Sequence, residues 1–190
     1  GFDVEARSVL TELKEILGIK GLNHLRLFCG YDVEGIDEAE YLNARVTIFS
    51  EPQCDFCYDE KLPDFDGAYR ILAVEALPGQ FDQRADSCSQ CIQIMTGKDR
   101  PRVKTALLYV LFGDISDEDN TRIKNYLINP VETREASLAK PETLKEDYPV
   151  PDKVESINGF IRMDEKELDN LRDKLGLAMD SGDIKMLRDY

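Results

Sequence analysis

Ala6-Arg7-Ser8-Val9-Leu10-Thr11-Glu12-Leu13-Lys14-Glu15-Ile16-Leu17-Gly18 is answered 79 residues later (97 − 18, 85 − 6) by Ala85-Asp86-Ser87-Cys88-Ser89-Gln90-Cys91-Ile92-Gln93-Ile94-Met95-Thr96-Gly97. Ala6, Val9, Leu13 and Ile16 form one helical stripe, and Ala85, Cys88, Ile92 and Met95 form its counterpart. A glycine closes each where a left-handed cap is wanted. The echo extends to Ile36-Asp37-Glu38 and Ile115-Ser116-Asp117-Glu118. Each copy then runs through a polar helix to a proline, Pro52 and Pro130, where the spacing slips by one residue. A long period met twice differs from a solenoid, which stacks three or more short repeats. It reads as a duplicated α+β unit with its two halves folded on each other.

Around those helices the pattern changes to period two. Leu22–Val33 alternates with Leu25, Leu27, Cys29, Tyr31 and Val33 on one face, and Tyr69–Leu77 and Val103–Phe112 are also expected strands. Helices are expected over Asp3–Leu17, Asp37–Phe49, Asp82–Met95 and the segment that Ser116 caps. In the second of these, Ala39, Leu42, Val46 and Phe49 are expected to face inward, although Arg45–Phe49 also alternates like a strand. Cys54–Tyr58 is expected as a short strand, and Lys61–Gly67 as a turn-rich loop. The strand Tyr69–Leu77 has no counterpart ahead of the first helix, so the chain reads as beginning one strand late. A sheet edge is then left uncovered, with self-association as the hazard.

From Asn129 the texture becomes polar, with Pro130, Pro141, Pro149 and Pro151 excluding a long helix. The chain therefore divides into 1–129, holding the copies 1–52 and 69–130, and an extended and helical linker over 130–190. In that linker Asp164 starts a helix through Leu168, Leu171 and Leu175 that Gly176 ends, and Ser181–Tyr190 carries Ile184 and Leu187 at helical spacing. The last helix stops in mid-pattern, as in a chain that continues.

The bulk numbers narrow the function. Hydrophobic residues make up 42% of 190, enough for a folded core. Thirty-eight acids against 24 bases give a net charge of −14. Nucleic acid and anionic membrane surfaces are disfavoured, since both recruit Lys and Arg. No apolar run reaches membrane-spanning length and no signal peptide opens the chain, so a cytoplasmic location is expected. The five cysteines, Cys29, Cys54, Cys57, Cys88 and Cys91, are odd in number and read as reduced thiols. With His24 as the single histidine, histidine-based triads and catalytic zinc sites have little to draw on.

Three constellations bear on chemistry. Cys54/Cys57 and Cys88/Cys91 are paired as in four-thiolate zinc sites, which makes a stand-alone zinc-binding interaction module the alternative function. Against it, Cys88 and Cys91 lie within an expected helix, and Cys88 holds the place of Val9. Asp82 and Asp86 at a helix start read as capping and dipole-complementing acids, as do Asp180 and Asp183 at the last helix. Gln80, Asp82, Gln83, Arg84 and Asp86 also form a polar strand-to-helix loop, in which Gln83-Arg84 has no equivalent in the first copy. Loops held by rigid elements are where ligands and partners are met. No Gly-rich phosphate loop follows any strand.

Four ordered strings add a resemblance: Asp32-Val33-Glu34-Gly35-Ile36; Leu77-Pro78-Gly79-Gln80-Phe81-Asp82-Gln83-Arg84-Ala85-Asp86-Ser87; Tyr126-Leu127-Ile128-Asn129-Pro130-Val131-Glu132-Thr133-Arg134-Glu135-Ala136; and Gly176-Leu177-Ala178-Met179-Asp180. Together they resemble the N-terminal region of single-chain phosphoribosylformylglycinamidine synthase, in order across nearly the whole chain. The resemblance implies part of an ATP-dependent ligase of purine biosynthesis. That enzyme makes formylglycinamidine ribonucleotide from formylglycinamide ribonucleotide, glutamine and ATP. It further implies an N-terminal domain like a fused dimer of the small S subunit, followed by a linker to the synthetase domain. ATP and Mg serve the full enzyme, and no cofactor is expected on this segment. The partners implied are the synthetase and glutaminase domains of the same polypeptide. The family's catalytic cysteine, histidine and glutamate, and its histidine-rich synthetase motif, have no match here. No catalytic residue is therefore assigned, and the chain alone is expected to be inactive. Gln80, Asp82, Gln83, Arg84 and Asp86 match a family loop expected to face the catalytic domains.

Overall fold

Alternating apolar residues need a second layer on one side only, and three segments meet that need in one antiparallel sheet that a short polar fourth extends. Its strands are β1 (Leu22–Glu34), β2 (Tyr69–Ala76), β3 (Arg102–Gly113) and β4 (Thr133–Glu135), in the spatial order β1-β3-β2-β4. The computed structural model describes residues 3–145, 154 and 156–190. The chain separates into two units, Gly1–Glu146 and Asp147–Tyr190, and the sheet belongs to the first.

In the register, Leu25 lies opposite Leu111, Leu27 opposite Tyr109 and Val33 opposite Val103, while Leu72 and Val74 of β2 face Tyr109 and Leu107. These side chains share one face, and the helices α1 (Val4–Glu15), α2 (Glu38–Thr47), α3 (Gln83–Thr96) and α4 (Asp117–Leu127) supply their cover. Ala6 and Leu13 of α1 and Ile123 of α4 close one cluster with Leu22, Leu25, Leu72, Val74, Tyr109 and Leu111. Ile92 and Cys88 of α3 and Ala44 of α2 form a second, over Tyr31, Val33 and Val103. On the opposite face Phe65 sets its ring edge-on to Phe28, Tyr69 and Phe112, with centroids 5.9, 5.3 and 5.4 Å away. The loop between α2 and β2 is therefore a third, aromatic layer.

The helix starts follow the capping chemistry expected of them. Asp3, Asp37, Asp82 and Ser116 each accept a hydrogen bond from the third residue beyond, the amides of Ala6, Glu40, Ala85 and Asp119. Glycine is obligatory where β1 begins beside the end of β3. A Cβ on Gly113, whose φ is +136°, would lie 2.0 Å from the Gly21 carbonyl oxygen, and one on Gly21 equally close to that of Asp114.

Several expectations are corrected. Cys54–Tyr58 is not a strand; its start is a turn in which the Cys54 and Asp55 amides both donate to the Glu51 carbonyl. In α2, Ala39, Leu42 and Val46 are exposed and Ala44 is the residue against the core, because the helix packs with Cys88 and Ile92 of α3 through its small residue. Ile16 likewise is exposed, beyond the last turn that the sheet covers. In the polar stretch after Asn129, a short β4 joins the edge of β2 through Val74–Glu135, Glu75–Arg134 and Ala76–Thr133.

The second unit holds a 3-10 turn (Phe160–Arg162), α5 (Glu165–Leu175) and α6 (Ser181–Asp189). Asp164 and Asp180 close capping boxes with Glu167 and Asp183, and Gly176 ends α5 in the left-handed conformation. Leu168 and Ile184 are buried, whereas Leu175 and Leu187, placed on the apolar stripes from sequence, are half exposed. Pro149 and Pro151 lie outside the described residues.

Candidate functional site

The main concavity of the first unit is a cleft of about 1690 Å³ along β1. Its floor is the strand from His24 to Val33. One wall is the start of α1 (Asp3–Arg7), another the loop Cys54–Leu62, and Ser137–Lys140 border it. β1 ends the strand order, and among the described residues no backbone hydrogen bond outside the β1–β3 ladder involves Leu22–Glu34. The cleft therefore follows a sheet edge whose outward amides and carbonyls lack backbone partners.

Of the polar loop singled out from sequence, Arg84 alone lines the cleft. Its guanidinium donates to Cys29 Sγ at 3.0 Å and shares a hydrogen bond with the Tyr31 phenol, which raises its pKa further with help from Cys29. The Cys29 thiol is pushed up by burial against its neighbours, and Arg84 only partly offsets this. Cys29 is thus held as a thiol, a poor nucleophile.

Three of the other loop residues bond within the first unit. Asp82 accepts from the Ala85 amide at 2.9 Å with one carboxylate oxygen. With the other it accepts from the Thr105 hydroxyl at 2.8 Å and the Thr105 amide at 3.3 Å, tying α3 to β3. Asp86 pairs with Arg100 at 2.6 Å, and Arg100 also donates to Ser89 Oγ, the one buried polar side chain in the described core. The Gln80 side-chain amide donates to the Val131 carbonyl at 3.2 Å. Gln83 is exposed at the first turn of α3.

Charges around the cleft are mixed. Arg26 and Lys61 accompany Arg84, while Asp3, Glu5, Asp37, Glu38 and Asp55 carry the opposite sign. Asp32 has a raised pKa, from partial burial and then from Glu75, with Lys104 and Lys140 opposing. Such a lining lacks the uniform positive field of a phosphate or nucleic-acid site. On its rim, Glu34 accepts from the Leu144 amide at 2.6 Å and the Thr143 hydroxyl at 3.1 Å, and Leu144 is buried. The chain after β4 thereby returns over its own unit as a strap.

Cys54 and Cys57 lie in the cleft loop and Cys88 in the α2–α3 core, its thiol pushed up to about 11 by burial. Among the described residues no three or more His, Cys, Asp or Glu side chains converge as metal ligands. His24 stacks at a tilt on Phe112, with ring centroids 5.6 Å apart. No described helix is long and apolar enough to cross a membrane.

The fold is thus an α+β unit with one helix-covered antiparallel sheet, and its site is an edge-strand cleft. No protein-family model and no curated protein matches the chain.

Proposed function

We propose that this chain is the N-terminal scaffold and linker segment of a phosphoribosylformylglycinamidine synthase. It serves to dock and couple the synthetase and glutaminase domains of the same polypeptide. ATP, Mg and the reacting groups belong to those domains. On this reading the first unit is a pair of duplicated halves, α1–β1–α2 and α3–β3–α4, comparable to a fused dimer of the small S subunit.

The observation that carries the reading is the coincidence of element positions. Val4 and Gln83 open α1 and α3, Glu34 and Gly113 end β1 and β3, and Glu38 and Asp117 open α2 and α4, each pair 79 residues apart. The capping pairs Asp3/Asp82 and Asp37/Ser116 keep the same interval, as do the buried pairs Ala6/Ala85, Leu13/Ile92 and Ala44/Ile123. Independent sequences seldom place three elements, two caps and three core residues at one spacing. The four ordered strings supply the family. The alternative, a zinc module on Cys54, Cys57, Cys88 and Cys91, gains no support from a buried, high-pKa Cys88.

Complementation tests the proposal. Residues 1–190 supplied to a synthase polypeptide lacking this region should restore glutamine-dependent formation of formylglycinamidine ribonucleotide, while the same residues alone yield none. Failure to restore activity although both pieces are folded, or product from the chain alone, would overturn it.

A further inference from the structure

β2 does for β3 what no described segment does for β1. It pairs with β3 from Tyr69–Phe112 to Glu75–Ala106, adds Leu72 and Val74 to the helix-side core, and passes through residues 77–82 into α3. Moved back by the interval that relates the halves, the seven residues it covers, Ala106–Phe112, become Leu27–Val33 of β1. Those residues all line the cleft, whose wall is the start of α1, the counterpart of the start of α3. The core on that side is correspondingly thin. It contains three buried residues, Ala44, Cys88 and Ile92, against eleven in the cluster to which β2 contributes. Cys29 faces the helix layer at mid-strand and is still exposed.

We propose that the β1 edge at Leu27–Val33 is a strand-addition site. Its occupant is an extended segment of about seven residues, antiparallel to β1, with apolar side chains at alternate positions like Leu72 and Val74. Seven residues at about 3.3 Å each span the length of the open edge. Main-chain hydrogen bonds supply the attraction, and alternate side chains choose the face, as in other β-augmented complexes. By the same relation the N-terminus of the segment lies beside Val33 and its C-terminus beside Leu27. The inference rests on the reading of the two halves as related, and it holds whichever enzyme the chain serves.

The probe is a synthetic peptide with the sequence of β2, Tyr69–Ala76, solubilised by terminal lysines and titrated into the full chain. Amide exchange at alternate residues of Leu27–Val33 should slow by at least about tenfold at saturation. A scrambled peptide and one with proline in place of the central alanine should have no effect, because proline removes a ladder donor. A spin label on the peptide N-terminus should broaden Val33 more than Leu27. Unchanged exchange at Leu27–Val33, or equal protection by the scrambled peptide, overturns the docking site. Protection with the label nearest Leu27 instead rejects the relation between the halves from which the orientation comes. A dimer that pairs β1 with β1 and that the peptide does not dissociate gives the edge to a second copy and also overturns the proposal.

Discussion

Replacing Asp82 separates a structural aspartate from one that reads a ligand. Its first oxygen caps α3 through the Ala85 amide, an interaction whose loss costs about 1 kcal/mol. Its second holds the Thr105 hydroxyl and amide, and a hydrogen bond to a charged acceptor at a half-exposed position adds about 1 kcal/mol. Asp82→Ala should therefore destabilise the first unit by about 2 kcal/mol. Asp3, in the equivalent position of α1, makes only the cap contact among the described residues, so Asp3→Ala should cost about 1 kcal/mol. In thermal unfolding, a unit of this size loses roughly 3 °C per kcal/mol, so the expected decreases are about 6 and 3 °C. Without tryptophan the transition is followed by tyrosine fluorescence and far-ultraviolet dichroism. A double-mutant cycle with Thr105→Val should return about 1 kcal/mol of coupling. Asp82→Asn keeps a good cap and loses part of the Thr105 contact, so it should fall between wild type and alanine. Equal losses for Asp3→Ala and Asp82→Ala, together with no coupling to Thr105, would refute the tie between α3 and β3. If Asp82→Asn left stability intact yet abolished the complementation by which the proposed function is tested, the carboxylate would be a contact to substrate or partner.

Further outcomes follow from the same geometry. Gly113→Ala forces a Cβ against the Gly21 carbonyl and should cost at least about 2 kcal/mol in urea unfolding; Gly18→Ala, also at positive φ but in open space, should cost about 1 kcal/mol. Glu34 has a pKa held below its usual 4.5, chiefly by the Leu144 amide, so the strap gains stability above that value and loses it as pH falls through the lower folded one. Leu144 amide exchange should accelerate on that acid limb, and Glu34→Gln should abolish the pH dependence. The Tyr41 phenol is pushed up to about 12 by burial and by its hydrogen bond to Asp59, so it stays protonated where an unfolded tyrosine ionises near 10. Folding therefore loses stability above pH 10 through this group, and a tyrosinate absorbance titration should contain a late step that Tyr41→Phe removes. With iodoacetamide at neutral pH, Cys54 and Cys91, both exposed, should be labelled first, and Cys88 last, its thiol near 11 and buried; rapid loss of Cys88 would contradict the packing of α3.

Period-two alternation made β1, β2 and β3 readable, because each buries one face and the helices supply the cover. Caps made the helix starts readable, because a side-chain oxygen three residues before a free amide is a local arrangement. What depended on distant partners was lost. The phase of α2 was misjudged because Leu42 and Val46 are larger than Ala44, and the choice between two stripes is made by the packing of Ala44 with Cys88 and Ile92 of α3. β4 is Thr-Arg-Glu and has no apolar signal; it exists because β2 offers an edge and Glu75 meets Arg134 at 2.7 Å. The loop chosen as a site divides by where its side chains go. Arg84 does enter the cleft, but Asp82, Asp86 and Gln80 are committed to Thr105, Arg100 and Val131. The strand residues that form the cleft floor gave no motif, since an unpaired edge has the same alternation as a paired one. What pointed to them was the 79-residue echo, which sets β2 beside β3 but no described strand beside β1.

The strand β2 also makes the two buried clusters of the first unit differ in size. Leu13 and Ile92, 79 residues apart, are both fully buried, yet Leu13 belongs to a cluster of eleven buried residues and Ile92 to one of three. Hydrophobic stabilisation grows with the apolar area withdrawn from water. A strand that contributes Leu72 and Val74 therefore strengthens the α1–α4 end in a way the α2–α3 end does not share. The smaller cluster is flanked by polar ties, in which Arg45 reaches Asp59 at 2.8 Å, Lys98 reaches Glu40, and Glu34 holds the strap. Most of these lie at the surface, where an ion pair is worth little. Apolar burial added at the β1 edge would accrue to the half that has least. A docked strand would thus act on the stability of α2 and α3 as well as on the edge it covers, and on Arg84, which lines the cleft beside Cys29.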